Sequence, residues 1–222
     1  ACRHELERNG IDASKIRVIP NGVEAMESPG HDPAATLVRQ GITRGYLLYV
    51  SHFYAYKNFE RLIRAYRALP ERLQENYQLV LVGAPHDARY FAEIADLIGS
   101  TKTDRIIVIP GASKETLRDL YTGTSLFIFP SLVEACPNIL LEAMAHGAPV
   151  LASNIAPMPE FGGAAARYFD PFSQQEMTSA ILALLDDKTA RARMRSESVV
   201  QAGRYTWDEF TRRVVDAYAS AE

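Results

Sequence analysis

The chain has 222 residues, 47% of them hydrophobic and 23% charged, with a formal net charge of −3. That apolar content can bury one substantial α/β core, while the charge offers neither a basic field for nucleic acid nor a polybasic patch for a membrane. No apolar run approaches the roughly 20 residues of a membrane-crossing helix, no secretory leader is expected, and Cys2 and Cys136 are too few and too far apart for a disulfide framework or a zinc site, so they read as free thiols of a reducing cytoplasm.

Residues 1–9 read as a charged helical end, followed by a loop at 10–14 and an extended stretch from Lys15 to Pro20. Six apolar segments then alternate with amphipathic ones. Strands are predicted at 46–50, 78–82, 105–109, 126–129, 150–152 and 166–169. Helices are predicted at 58–69, 88–99, 114–122, 138–146, 174–186, 189–203 and 207–220. Regular alternation implies right-handed crossovers and a parallel sheet covered by helices on both faces, and near-continuous apolar strands agree with that burial. In the first long helix Phe59, Leu62, Ile63, Tyr66 and Leu69 recur at three and four, giving one apolar face. Asn58 is its expected N-cap.

Gly83 lets the second strand end in a tight turn, and Asp87 is placed to cap the helix that follows. Ile109-Pro110-Gly111 ends the third strand, with Ser113 or Lys114 opening the next helix. Residues 125–129 form a buried strand closed by Pro130-Ser131. Pro137 stands at the favoured first helical position, strong helix formers follow, and Gly147 stops the helix.

Glu134 therefore lies in a loop at the carboxyl end of a strand, where open parallel sheets bind ligands. Glu142 lies about a turn inside the helix, whose first N–H groups near 138–140 suit an anion. Two carboxylates accept hydrogen bonds from vicinal hydroxyls. A ligand with hydroxyl-rich ends and a charged middle fits, and a nucleotide-sugar is such a ligand.

Beyond this stretch, residues 151–163, with Pro157, Pro159 and Gly162-Gly163, read as a loop with at most a short helix. Glu160 is explained by helix-start charge. Asp170 to Ser173 form a turn and cap before a helix that turns Met177, Ile181, Leu184 and Leu185 inward. Asp186-Asp187 reads as a solvated turn rather than a metal site. Thr206 and Glu209 form a capping box, and Phe210, Val214 and Tyr218 make a stripe at spacing four.

Pro130-Ser131 with Glu134, Pro137-Asn138, the run from Leu141 through Glu142, Ala143, Met144 and Ala145, and Gly147 with Pro149-Val150 together resemble the signature of the retaining GT-B glycosyltransferases of group 1. The likeness extends from about Ile16 to Trp207. It implies an α/β, Rossmann-like parallel sheet with helices on both faces, forming the C-terminal half of a GT-B fold. Residues 1–15 would then be the tail end of an N-terminal acceptor domain and its linker, 16–222 the donor-binding domain, and the segment 16–23 the join between them. The closing helix of the family often packs back onto that other domain.

By the same resemblance Lys57 grips the donor diphosphate and Glu134 binds a sugar hydroxyl near the anomeric carbon, the two forming the catalytic pair. Glu142 takes the ribose hydroxyls. Ser51, His52, Gly83, Ile109, Cys136, Pro137, Asn138 and Ile139 complete the donor-binding set, with backbone around 109–111 bordering the base. Ser51 and His52 stand where the family has a Gly-Arg pair. Ser51 adds a side chain at a close approach, and His52 lacks the fixed charge and fork of arginine.

The implied reaction transfers a hexose from a UDP- or GDP-sugar to a glycan or lipid-linked acceptor with retention, without metal or other cofactor. The implied setting is the cytoplasm, in polysaccharide assembly of a bacterial envelope, with peripheral membrane association open to the full protein. This chain without the acceptor domain would bind nucleotide weakly and transfer nothing. Two other readings are a nucleotide-sugar 2-epimerase of the same architecture and a non-catalytic nucleotide-binding or interaction domain. The second draws on the lost Gly-Arg pair.

Overall fold

The computed structural model describes residues 2–24, 32–99 and 105–220. Ala1, the Cys2 side chain and residues 221–222, which enter the expectations above, lie outside the described residues. In chain order the strands are β1 (Gly45–Val50), β2 (Tyr77–Val82), β3 (Ile106–Ile109), β4 (Leu126–Phe129), β5 (Val150–Ser153) and β6 (Ala166–Phe169). All pair in parallel, in the order β3-β2-β1-β4-β5-β6. The chain thus winds outward in both directions from the β1–β4 junction, where the carboxyl ends of the strands leave a crevice.

The helices are α1 (Cys2–Arg8), α2 (Pro33–Arg39), α3 (Phe59–Arg67), α4 (Glu71–Asn76), α5 (Ala88–Gly99), α6 (Lys114–Gly123), α7 (Asn138–Ala145), α8 (Met158–Gly162), α9 (Gln174–Asp186), α10 (Lys188–Ala202) and α11 (Trp207–Ala219). Every strand was expected, to within a residue. The apolar face expected of α3 is fully used, since Phe59, Leu62, Ile63 and Tyr66 are all buried, each worth roughly 1.5–3 kcal/mol against exposure. Met177, Ile181, Leu184 and Leu185 of α9 are buried likewise. Ser113, Ser173, Asp87 and Thr206 accept from backbone N–H groups as caps.

Three local expectations need correction. Asn58 does not cap α3 with its side chain; it sits in the left-handed region at φ 63 and spends its amide on distant loops. Pro137 is the residue before α7, at φ −82 and ψ 68, rather than its first helical residue. Only half of the capping box forms, because the Glu209 carboxylate turns to Arg212 and Arg213. The stripe expected on α11 is present and stands largely open, with Phe210 and Val214 half-buried and Tyr218 exposed. Asp186 pairs with Arg72 and Asp187 caps α10, in keeping with a surface turn.

Candidate functional site

Two loops meet at the β1–β4 junction. After β1 the chain makes a single helical turn at Ala55–Lys57, then passes through Asn58 into α3. The Lys57 carbonyl accepts from the buried Tyr49 hydroxyl at 2.9 Å, while the Tyr56 carbonyl accepts from Leu132 N–H at 2.8 Å. These bonds fix the β1 loop against the β4 loop. Lys57 Nζ then lies 2.5 Å from Glu134 Oε1, and the two side chains are only 12% and 11% exposed. The lysine and the first of the two glutamates therefore touch at the sheet's switch point.

Ser51 is buried, its hydroxyl against the Tyr49 phenol, and its carbonyl faces Gly83. A Cβ on Gly83 would lie 1.8 Å from that carbonyl oxygen, so glycine here serves the close approach of two loops. Ile109 spends its carbonyl on Gly83 N–H at 3.0 Å. His52 is exposed as a whole, and partial desolvation of its ring, with His86 and Lys57 nearby, lowers its pKa below the ordinary imidazole value. The neutral form therefore predominates at pH 7, and the ring supplies little standing charge.

The start of α7 is tied down locally. Asn138 N–H donates to the Cys136 carbonyl at 2.9 Å, Cys136 Sγ sits 3.2 Å from Asn138 Oδ1, and Asn21 Nδ2 donates to the same oxygen at 3.1 Å. Pro137 is buried and Ile139 half-buried beside them. The segment holding Asn21 continues to Gly22, where a Cβ would lie 2.3 Å from Trp207 N, and to Val23, whose N–H donates to Tyr205 O. Residues 21–24 therefore run between the starts of α7 and α11.

That arrangement opens a cleft of about 680 Å³ whose lining includes Glu24, Lys114, Arg118, Tyr121, Glu142 and His146. Of the expected donor-binding residues, Asn138 and Glu142 line it, whereas Lys57 and Glu134 meet apart from it. Glu142 accepts from the buried Tyr121 hydroxyl at 3.4 Å. Burial raises its pKa, partly offset by Tyr121, His146 and Lys114. Lys114 pairs with Glu24 at 3.5 Å at the rim. Lys114 was expected only as a helix opener, and Arg118, Tyr121 and His146 were not among the expected site residues. A usable signal was there: Asn138, Glu142 and His146 stand at successive fours, and Lys114 and Arg118 are four apart, so each set shares one helix face. Among the described residues no three His, Cys, Asp or Glu side chains gather as metal ligands, and no helix is long and apolar enough to cross a membrane.

Comparison with known proteins bears on what such a crevice belongs to. The family model described as glycosyl transferases group 1 matches residues 40–199. O-antigen chain mannosyltransferase B of Escherichia coli is 29% identical over 180 residues, covering 79% of this chain and 46% of that protein. The D-inositol 3-phosphate glycosyltransferase of Xylanimonas cellulosilytica is 27% identical over 228 residues, covering 96% of this chain and 53% of its own. The chain thus spans about half the length of these curated relatives. Among solved structures, Anabaena HepE in complex with UDP and glucose superposes with a TM-score of 0.86 at 19% identity, over 98% of this chain and 60% of that one. WaaG, a glycosyltransferase of lipopolysaccharide biosynthesis, gives 0.74 at 23% identity, over 90% and 55%.

Proposed function

Because the chain belongs to the group 1 glycosyltransferases, we propose that it is the donor-binding half of a retaining GT-B enzyme. It takes a UDP- or GDP-sugar and delivers the hexose to a glycan or lipid-linked acceptor held largely by a partner N-terminal domain. The observation that carries this reading is the contact of Lys57 with Glu134 at the strand ends. A similar mannosyltransferase of O-antigen and a UDP complex among the structural neighbours support the substrate class.

Departure of a nucleoside diphosphate leaves negative charge on its oxygens, and preorganised cations and dipoles aimed at that charge contribute several kcal/mol. Lys57 exchanges Glu134 for a phosphate oxygen, and the start of α7 adds its partial positive charge. Glu134, once released, accepts a hydrogen bond from a hydroxyl of the transferred sugar. Glu142 accepts from the ribose hydroxyls within the cleft. Neither a metal ion nor another cofactor is assigned a role. His52, neutral and without arginine's fork, contributes little to the diphosphate; this favours a second reading, a nucleotide-binding domain without turnover.

Calorimetry with UDP and GDP tests the assignment. Glu142→Ala should weaken nucleotide binding more than Glu134→Ala, whose main effect falls on turnover once the acceptor half is supplied. Equal losses of nucleotide affinity would count against both roles.

A further inference from the structure

The loop after β1 alternates. Ser51 and Phe53 are buried, and Phe53 stacks on Phe59 at 4.2 Å and meets Phe91 edge-on at 4.9 Å. His52, Tyr54 and Tyr56 take the outward positions, and His86 joins them from the loop after β2. His52 meets His86 at 4.3 Å between ring centroids, His86 lies 6.0 Å from Tyr54 at 19°, and Tyr54 lies 5.5 Å from Tyr56 at 13°. Four rings from two loops therefore form one continuous row, three of them near-parallel.

The row is held in place. Ser51 N–H donates to Val82 O, Phe53 N–H to Ala84 O, and Leu132 N–H to Tyr56 O. None of these rings is fully buried: His52 and His86 are exposed, Tyr56 is 43% exposed and Tyr54 is half-buried. One exposed aromatic needs no explanation. A preorganised cluster of them beside polar groups marks a binding surface. Lys57 Nζ sits 5.1 Å from the Tyr56 centroid while also touching Glu134. The sequence of contacts thus leads from Glu134 through Lys57 and Tyr56 to Tyr54 and His86.

We propose that this row is a subsite for a hexopyranose ring of the acceptor. The ring lays its C–H face on Tyr54 and Tyr56 and turns its hydroxyl rim to His52 and His86. The proposal rests on the sugar-transfer reading above. A pyranose has an apolar face and a polar rim, and tyrosine matches it with an apolar body and a hydroxyl tip. A neutral imidazole offers one donor and one acceptor to hydroxyls, and partial desolvation of the His52 ring, with His86 and Lys57 nearby, shifts it further toward that form. The donor sugar must stay with its diphosphate at Lys57 and Glu134. Tyr56 and His52 both border Lys57, with Tyr54 and His86 joining them; with Lys57 and Glu134 taken by the donor, the rings are assigned to the acceptor.

The test titrates this chain with maltotriose, mannotriose and cellotriose by saturation-transfer NMR, and in parallel with UDP, GDP and UDP-glucose. The same titrations follow in Tyr54→Ala and in Tyr54→Phe, each checked for an unchanged thermal midpoint. At least one trisaccharide should bind, with signal on its ring C–H protons. Its affinity should fall at least fivefold in Tyr54→Ala and be largely kept in Tyr54→Phe, with UDP or GDP affinity unchanged within twofold. Nucleotide binding without binding of any trisaccharide at about 20 mM, or equal trisaccharide binding in Tyr54→Ala, overturns the subsite and leaves the donor reading intact. A loss confined to UDP-glucose moves the row to the donor sugar and likewise overturns it. Trisaccharide binding that depends on Tyr54, with no nucleotide bound by any variant, upholds the subsite and removes the donor reading. Binding of neither removes both.

Discussion

Asn58 Nδ2 donates to the Pro130 carbonyl at 3.1 Å and to the Pro171 carbonyl at 3.0 Å, so one buried amide beside β1 holds the loops that follow β4 and β6. Its Oδ1 accepts from Arg61 at 2.6 Å, and its backbone occupies the left-handed region. Lys57 is the preceding residue, and its direction toward Glu134 depends on this knot.

Replacing Asn58 separates the two contributions. Asn58→Gly keeps the backbone conformation and leaves two buried carbonyls without their donor, a loss of about 1–3 kcal/mol. Asn58→Ala loses the same bonds and adds about 1 kcal/mol for a Cβ in the left-handed region. Urea denaturation should rank wild type above glycine and glycine above alanine. Equal stabilities of the two variants would show that the positive φ costs nothing here.

The Lys57–Glu134 pair is shielded enough to couple. Removing one partner leaves a largely buried charge facing a neutral group, and either Lys57→Met or Glu134→Gln should cost about 2–4 kcal/mol. The double variant should cost less than the two losses combined, with a coupling of about 1–3 kcal/mol. Denaturation midpoints of the four proteins give the cycle. Additive losses would mean that water already screens the pair as at an ordinary surface.

The same two residues show what a sequence makes legible. Strands β1, β2, β4 and β5 were readable because each is a short, almost wholly buried run in which composition alone signals the structure, whereas the edge strands β3 and β6 are only partly buried. Helices α2 and α4 were not: α2 buries only Thr36 and α4 only Leu73, so neither carries a stripe to detect. Asn58 was misread because a helix-start rule is local, whereas its partners lie 72 and 113 residues away. Glu134 and Glu142 were readable from motif spacing. Their surroundings were not, since Lys114, Arg118 and Tyr121 share a cleft with Glu142 only through the placement of α6 near α7 and the course of residues 21–24.

Glu142 gives the prediction with a definite sign in pH. Burial disfavours its charged form, so its folded pKa lies above the ordinary value of 4.5. The stability linked to such a raised group is fully present below 4.5 and is lost as pH rises through the folded value. Above its folded pKa the ionised carboxylate therefore weakens the fold. Glu142→Gln removes that charge and keeps an oxygen for the Tyr121 hydroxyl to donate to. Thermal midpoints should be higher for the variant at pH 7, and the gain should vanish as pH falls below 4.5. A variant less stable than wild type at both pH values would place the carboxylate in a stabilising network instead. Stability gained by removing a charged group, together with weaker binding of UDP or GDP, is the pattern expected of a carboxylate kept for its ligand.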